Sequence, residues 1–319
     1  MTANDNIPYL SEETLAGLGI TTQDVIESIE AMIAGCEEGS VWSAPKAVIQ
    51  PGDGRYMMAA LAASDVPALL AVKMVMLNPR NSDRQLPQIN GLVTVINSDT
   101  GLPVAILDGN WITAVRTPGL SAVAASRMAR KDSSVVAFVG SGVQAHSHLT
   151  AFAEMFPLEK VRVFGRGQAN IDSLCELAES LSLSPSRCAS GEEAVRPADL
   201  VVTSVTYSAE MVPFLDAGNL KPGVFAAITD LAAPWIKDSF SAFDQITIDD
   251  LAQEEALPNK LVAPQYVSGD LSGLVFGKFS GRNKPDDRNA FIFRGHALGD
   301  LALSALALQK SGIGGTEPT

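Results

Sequence analysis

The sequence predicts an α/β fold: a parallel sheet covered on both faces over residues 118–290, joined to a discontinuous α+β domain built from residues 1–117 and 291–319. Three observations carry that expectation. In the run Val-Val-Ala-Phe-Val-Gly-Ser-Gly-Val-Gln-Ala, residues 135–145, an apolar β-type stretch breaks into a Gly-x-Gly-x-x-Ala turn and continues as a helix. Downstream of it, short apolar runs alternate with helical patterns, as in parallel βαβ units. Upstream, β-type runs follow one another with turns alone between them, which suits an antiparallel sheet.

The elements follow in order. Residues 21–39 read as a helix: Thr21 or Thr22 caps it, Val25, Ile29, Met32 and Ile33 recur on one face, and Gly35 and Gly39 mark its end. Strands are expected at 46–50, 56–62, Leu69–Leu77 and 91–97, then a turn at Ser98-Asp99-Thr100-Gly101 and a returning strand at 102–107. After Arg116-Thr117-Pro118 the pattern changes to a small-residue helix over 119–130, and the alternation begins. Strands at 135–139, 161–164, 200–204, 224–229 and 246–248 are interleaved with helices at 169–183 and 249–255. A Gly and Lys/Arg-rich loop, 277–288, precedes an Ala/Leu-rich helix, 297–309, whose core-like composition suits a return to the first domain.

The turn is chemically specific. Gly140 permits its tight bend, Gly142 lets the backbone approach a pyrophosphate at the following helix N-terminus, and Ala145 takes the third glycine's place. Gly140, Ser141, Gly142, Val143, Gln144 and Ala145 are therefore expected to hold a dinucleotide, and the second domain to be of Rossmann type; a plain turn between a core strand and a helix is the other reading. At the ribose end, Val163-Phe164-Gly165-Arg166-Gly167 lacks the acidic residue usual for NAD. Arg166 suits a 2'-phosphate or stacks on adenine, so the cofactor is NAD(H) or NADP(H).

Composition excludes several classes. Thirty-six acidic residues against 23 basic ones give a formal charge of -13, unsuited to nucleic acid or an anionic membrane surface. No apolar run reaches the ~20 residues of a membrane span. The polar start, residues 1–8, does not resemble a secretory signal. Cys36, Cys175 and Cys188 are odd in number and far apart, which fits a reducing cytoplasm. No His, Cys and carboxylate group has metal-site spacing, and His146 and His148 point different ways on a helix, so no metal is expected.

Six segments in one order resemble the ornithine cyclodeaminase and mu-crystallin family. They are Ala71-Val72-Lys73-Met74-Val75, Asp99-Thr100-Gly101-Leu102-Pro103, Leu107-Asp108-Gly109 with Ile112-Thr113-Ala114-Val115-Arg116-Thr117, residues 140–145, the 277–282 loop, and Gly295-His296-Ala297-Leu298-Gly299-Asp300. The resemblance implies a Rossmann domain with a substrate and dimerisation domain, working as a homodimer on a small amino or imino acid. Lys73 and Arg116 match the cations that hold the substrate's α-carboxylate, where a guanidinium binds bidentately and an ammonium adds a compact charge. Lys46 stands where relatives carry arginine, and Arg55 adds a further cation to the same substrate-binding set, or lies on the surface. Asp230, after the 225–229 strand, matches a catalytic carboxylate that serves with Lys73; a helix-capping aspartate is the other reading. Thr203, Ser204 and Val205 border the nicotinamide.

The implied activity is NAD(P)H-dependent reduction of a small α-imino acid to an L-amino acid, with iminosuccinate to aspartate first and pyrroline-2-carboxylate to proline next. Two rivals stand beside it. Ornithine cyclodeaminase chemistry needs an acidic partner for a long amino side chain, where Gly54-Arg55-Tyr56-Met57-Met58 offers a cation. A non-catalytic ligand-binding role fits poorly with Lys73, Arg116 and Asp230 all present.

Overall fold

In the computed structural model, which describes residues 6–206 and 211–313, the chain forms two compact units. One holds the residues up to Gly119 with those from His296 onward; the other runs from Leu120 to Gly295.

The first unit is built on a six-stranded sheet. Its strands are β1 (Tyr9–Leu10), β2 (Val41–Ile49), β3 (Tyr56–Ser64), β4 (Leu69–Leu77), β5 (Ile89–Asn97) and β6 (Pro103–Asp108), ordered β1-β6-β5-β4-β3-β2. All neighbours are antiparallel except β1 with β6. Short α1 (Glu12–Ala16) precedes α2 (Thr22–Glu38), and α9 (Ala297–Ser311) is the last described element. Thr21 and Asp24 close a reciprocal capping box at the start of α2, and Gly39 ends it in the left-handed region, as the sequence signals predict. α9 packs on β2, β3, β4 and β5 and against α2, burying Leu298, Leu301, Leu303 and Leu306. Each fully buried leucine contributes about 1.5–3 kcal/mol, so this helix is a principal source of the unit's stability.

Alternation decides which side chains meet α9. Lys73 pairs across the sheet with Ala60 and Val93, and all three point to the helix-covered face. The opposite face carries Trp42, Leu61, Met74 and Leu92, all exposed.

The second unit is an eight-stranded, wholly parallel sheet of Rossmann type: β7 (Val135–Val139), β8 (Lys160–Phe164), β9 (Ser184–Arg187), β10 (Leu200–Thr203), β11 (Phe225–Ile228), β12 (Gln245–Ile248), β13 (Val267–Asp270) and β14 (Asn289–Ile292). Their order is β13-β12-β14-β11-β10-β7-β8-β9. Helices α4 (Val143–Met155), α5 (Gln168–Ser180), α6 (Gly191–Val195), α7 (Leu251–Ala256) and α8 (Leu271–Val275) lie between strands. Strands β10 and β11 are buried along their whole length, which is why they read as largely apolar runs. In the 277–288 loop, Arg282 donates to the carbonyls of Met128, Gly223, Val224 and Asp287 and ties the strand-start edge of the sheet together.

Four features depart from the sequence reading. The helix expected at 119–130 is the second half of α3 (Gly109–Met128), which runs through Pro118. Asp108 starts it by accepting the Trp111 N–H at 2.8 Å. An internal proline costs about 3 kcal/mol, and the burial of Leu120, Ala122, Val123, Ala124 and Ala125 offsets it. Strand β2 begins at Val41, five residues before expectation, and carries a bulge. Strands β9, β13 and β14 escaped sequence reading because Ser-Pro-Ser-Arg, Val-Ser-Gly-Asp and Asn-Ala-Phe-Ile each carry Pro, Gly, Asp or Asn, residues depleted in strands. Finally, the junction expected at 290/291 falls inside β14, which sits between β11 and β12 in the second unit's sheet.

Candidate active site

The first unit gathers charge around Lys73. Its ammonium donates to Asp300 Oδ1 at 2.6 Å, and Arg116 Nε stands 3.3 Å from the same oxygen. All three groups are buried, Lys73 to 1% exposure. Lys73 comes from β4, Arg116 from α3 and Asp300 from the first turn of α9. Lys46 joins them through the bulge: Ala44 faces Leu61 and Ala47 faces Ala59, so Pro45 and Lys46 together stand opposite Ala60, the cross-strand partner of Lys73. Its charge acts on Lys73 accordingly.

Lys73 and Arg116 thus share one buried carboxylate, with the Lys46 charge close enough to act on Lys73. Burial first, then the Arg116 guanidinium, push the Lys73 ammonium down to about 7, with Asp300 opposing and Lys46 adding to the fall. Arg116 Nε and Nη1 are buried and have no hydrogen-bond partner among the described residues. Buried donors left unmet cost about 1–3 kcal/mol each. A small carboxylate bound by Arg116 and Lys73 answers both the donors and the excess charge.

The second unit supplies a different arrangement. Gly140 ends β7 with φ at +100°, and a Cβ there would come within 2.6 Å of the Ser204 carbonyl oxygen. Glycine is required on both counts. Gly142 caps α4 without a side chain, and a Cβ at Gly142 would meet nothing within 4 Å, so the helix N-terminus is open to an anion. Ser141 and Ala145 are buried, Val143 is exposed, and Gly165 approaches Ser141 so closely that a Cβ would lie 2.7 Å from its hydroxyl. Arg166 is exposed just beyond β8. The turn, the open N-terminus and the buried Ser204 hydroxyl, which has no hydrogen-bond partner among the described residues, fit a dinucleotide.

Asp230 follows β11 at the carboxyl edge of the sheet, where ligands bind in open α/β folds. It is buried. Thr203 Oγ1 donates to its Oδ1 at 3.0 Å and the Val205 N–H to its Oδ2 at 3.1 Å. Burial pushes the carboxyl up to about 7, against the opposing pull of these hydrogen bonds. No helix follows it: Leu231 and Ala232 are both left-handed, at φ 58°, so the helix-capping reading is withdrawn.

The other sequence-selected residues divide. Arg55 lies in the β2–β3 connection, 39% exposed and paired with Asp53 at 2.8 Å, so its partner is a near neighbour in the chain and not the Lys73 group. His148 is fully buried between the Gln144 carbonyl and Ser121, and burial holds it at about 4, neutral and structural. Sequence reasoning missed Asp300 as a site residue. An acid in the first turn of the most apolar helix was the available signal, since an acid there is almost never buried unpaired.

The family model described as "Ornithine cyclodeaminase/mu-crystallin family" matches residues 14–309. Ketimine reductase mu-crystallin of Mus musculus is 30% identical over 219 residues, covering 67% of this chain and 68% of the relative. The solved structure of Thermococcus litoralis Delta(1)-pyrroline-2-carboxylate reductase, in complex with NADH and L-proline, superposes with a TM-score of 0.86 at 24% identity, over 98% of this chain and 100% of that one. An archaeal alanine dehydrogenase dimer with bound NAD gives 0.85 at 22% identity, over 98% and 99%. At such identities the structural likeness establishes the fold.

Proposed function

The chain belongs to the ornithine cyclodeaminase/mu-crystallin family, and on that premise we propose that it is an NAD(P)H-dependent reductase converting a small α-imino acid into an L-amino acid. The observation that carries this reading is the buried surplus of positive charge at Lys73 and Arg116, with Arg116 donors unanswered. Residues 140–145 hold the pyrophosphate, Arg166 lies at the adenosine end, and Thr203, Ser204 and Val205 border the nicotinamide. The bound cofactor supplies the hydride that reaches the imine carbon.

The chain's own residues do the rest. Lys73 and Arg116 clamp the α-carboxylate, which fixes the imine carbon in place. Asp230, protonated below about 7, gives its proton to the imine nitrogen. Iminosuccinate is the favoured substrate, because Lys46 adds a cation within reach of Lys73 for a second carboxylate. Pyrroline-2-carboxylate is next.

The test is oxidation of NADH and of NADPH by purified protein with oxaloacetate, pyruvate or glyoxylate plus ammonia, and with pyrroline-2-carboxylate. Turnover of at least one is expected, fastest with oxaloacetate and ammonia. Failure with all of them rejects the reductase reading, and ammonia release from ornithine without net cofactor change replaces it with the cyclodeaminase one.

The protein acts as a homodimer in this reading. The face of the first sheet turned away from α9 is apolar, with Ile49 66%, Trp42 50% and Met74 47% exposed. A groove of about 710 Å³ runs over it between Met57, Met76 and Leu92. So wide an apolar face is unusual on a monomer, and a second copy of the same face is the self-complementary cover. Light scattering is expected to give a mass of two chains, and Met74→Lys to halve it.

A further inference from the structure

Trp235 is fully buried beside Phe240 and Phe243, with ring centroids 6.2 and 6.0 Å away. Packing alone would be served by phenylalanine. Its indole nitrogen, however, donates to Thr203 Oγ1 at 3.2 Å, the same hydroxyl that reaches Asp230. The left-handed pair Leu231 and Ala232 turns the chain back after Asp230, and the bridge between Leu215 and Trp235 anchors the return.

The directions of these bonds are forced. An indole N–H can only donate, so Thr203 accepts from Trp235 and its one proton is left to give to Asp230 Oδ1. The Val205 amide likewise only donates, to Oδ2. Other groups facing the carboxyl are the amides of Asp230 and Ala232, and none of these partners is charged. Held as a donor by the indole, the Thr203 hydroxyl supports the carboxylate form of Asp230, in which Oδ1 accepts.

We infer that Trp235 and Thr203 are positioning residues: the indole fixes the Thr203 hydroxyl as a donor, and that donor holds and orients the Asp230 carboxyl through Oδ1. The inference rests on the reading of Asp230 as proton donor. Removing the indole frees the Thr203 hydroxyl to turn and accept from Oδ1, which weakens the bond that favours the ionised form. The carboxyl then titrates higher and delivers its proton less well.

The test is a carbon-13 NMR titration of the Asp230 carboxyl in the full-length protein, assigned with Asp230→Asn. Trp235→Phe is expected to raise the midpoint by about 0.5–1 pH unit and Thr203→Val by more, while Thr203→Ser keeps the wild-type midpoint. In turnover, Trp235→Phe is expected to lower kcat about tenfold with KM unchanged, and to move the alkaline limb upward with the NMR midpoint. An unchanged midpoint in Trp235→Phe overturns the inference. If that variant does not fold, the Trp235 indole N–H resonance of the wild type serves instead: it must shift at the Asp230 midpoint, and a flat resonance overturns the relay. A responsive titration in a protein whose Asp230→Asn variant retains reductase activity upholds the relay and rejects Asp230 as donor. An inactive Asp230→Asn variant beside an unresponsive titration does the reverse.

Discussion

Lys73 and Asp230 are both buried and are both brought to about 7, one from above and one from below. Burial is the first cause in each case, because a low-dielectric surrounding disfavours whichever form is charged. Their neighbours differ in kind. Lys73 sits among ions, with Asp300 against it and Arg116 and Lys46 around it; Asp230 sits among neutral donors, a hydroxyl and backbone amides. An ionic surrounding tunes a group for holding an opposite charge. A neutral one leaves a proton free to move.

The largest break in that comparison is Asp230→Asn. On the proposed reading it removes the proton donor, and its amide NH2 must face a group that itself donates, the Val205 N–H or the Thr203 hydroxyl, so kcat for imine reduction is expected to fall by about 10²–10⁴. Steady-state kinetics checks it. Asp300→Asn attacks the ionic side instead: it leaves Lys73 and Arg116 buried without their anion, and urea denaturation is expected to show a loss of about 3–5 kcal/mol. Gly140→Ala forces a left-handed, crowded position and is expected to cost about 1–3 kcal/mol and to weaken NADH binding, read by calorimetry.

The pH dependence separates the two groups by sign. In the proposed reaction both act protonated, so kcat/KM for reduction is expected to fall above about pH 7. Stability divides them. Between the ordinary carboxyl value of 3.8 and about 7 the folded protein holds a proton on Asp230 that the unfolded chain has released, so stability falls as pH rises across that window. Between about 7 and 10.5 the unfolded chain holds a proton on Lys73 that the folded protein has lost, so stability rises with pH there. Urea midpoints measured across pH are expected to lose the first slope in Asp230→Asn and the second in Lys73→Met. Smallest of all is Arg55→Ala, expected to change stability by less than about 0.5 kcal/mol because its ion pair with Asp53 is exposed.

Local signals were legible wherever a short stretch answers to its own chemistry. The Thr21 cap, the left-handed Gly39 and the strained Gly140 are each written in a few adjacent residues. Arg116-Thr117-Pro118 misled for the same reason: proline is a local stop signal, and only the burial of the residues after it keeps α3 going. Strand β14 was illegible because Asn-Ala-Phe-Ile opens on a residue depleted in strands and shows no alternation; its place between β11 and β12 depends on partners 44 and 64 positions away.

By itself the sequence determined the two-part α/β architecture and the Gly-x-Gly-x-x-Ala turn, since spacing and residue type need no partner to be read; Lys73, Arg116 and Asp230 were singled out by the family resemblance. Tertiary structure alone decided that Asp300 binds Lys73 from 227 positions away, that a bulge turns Lys46 toward them, that Arg55 stays with Asp53, and that Trp235 reaches Thr203. Each of those is a contact between distant parts of the chain. Burial and the direction of a hydrogen bond arise only when such parts meet, and they set the charge each group carries.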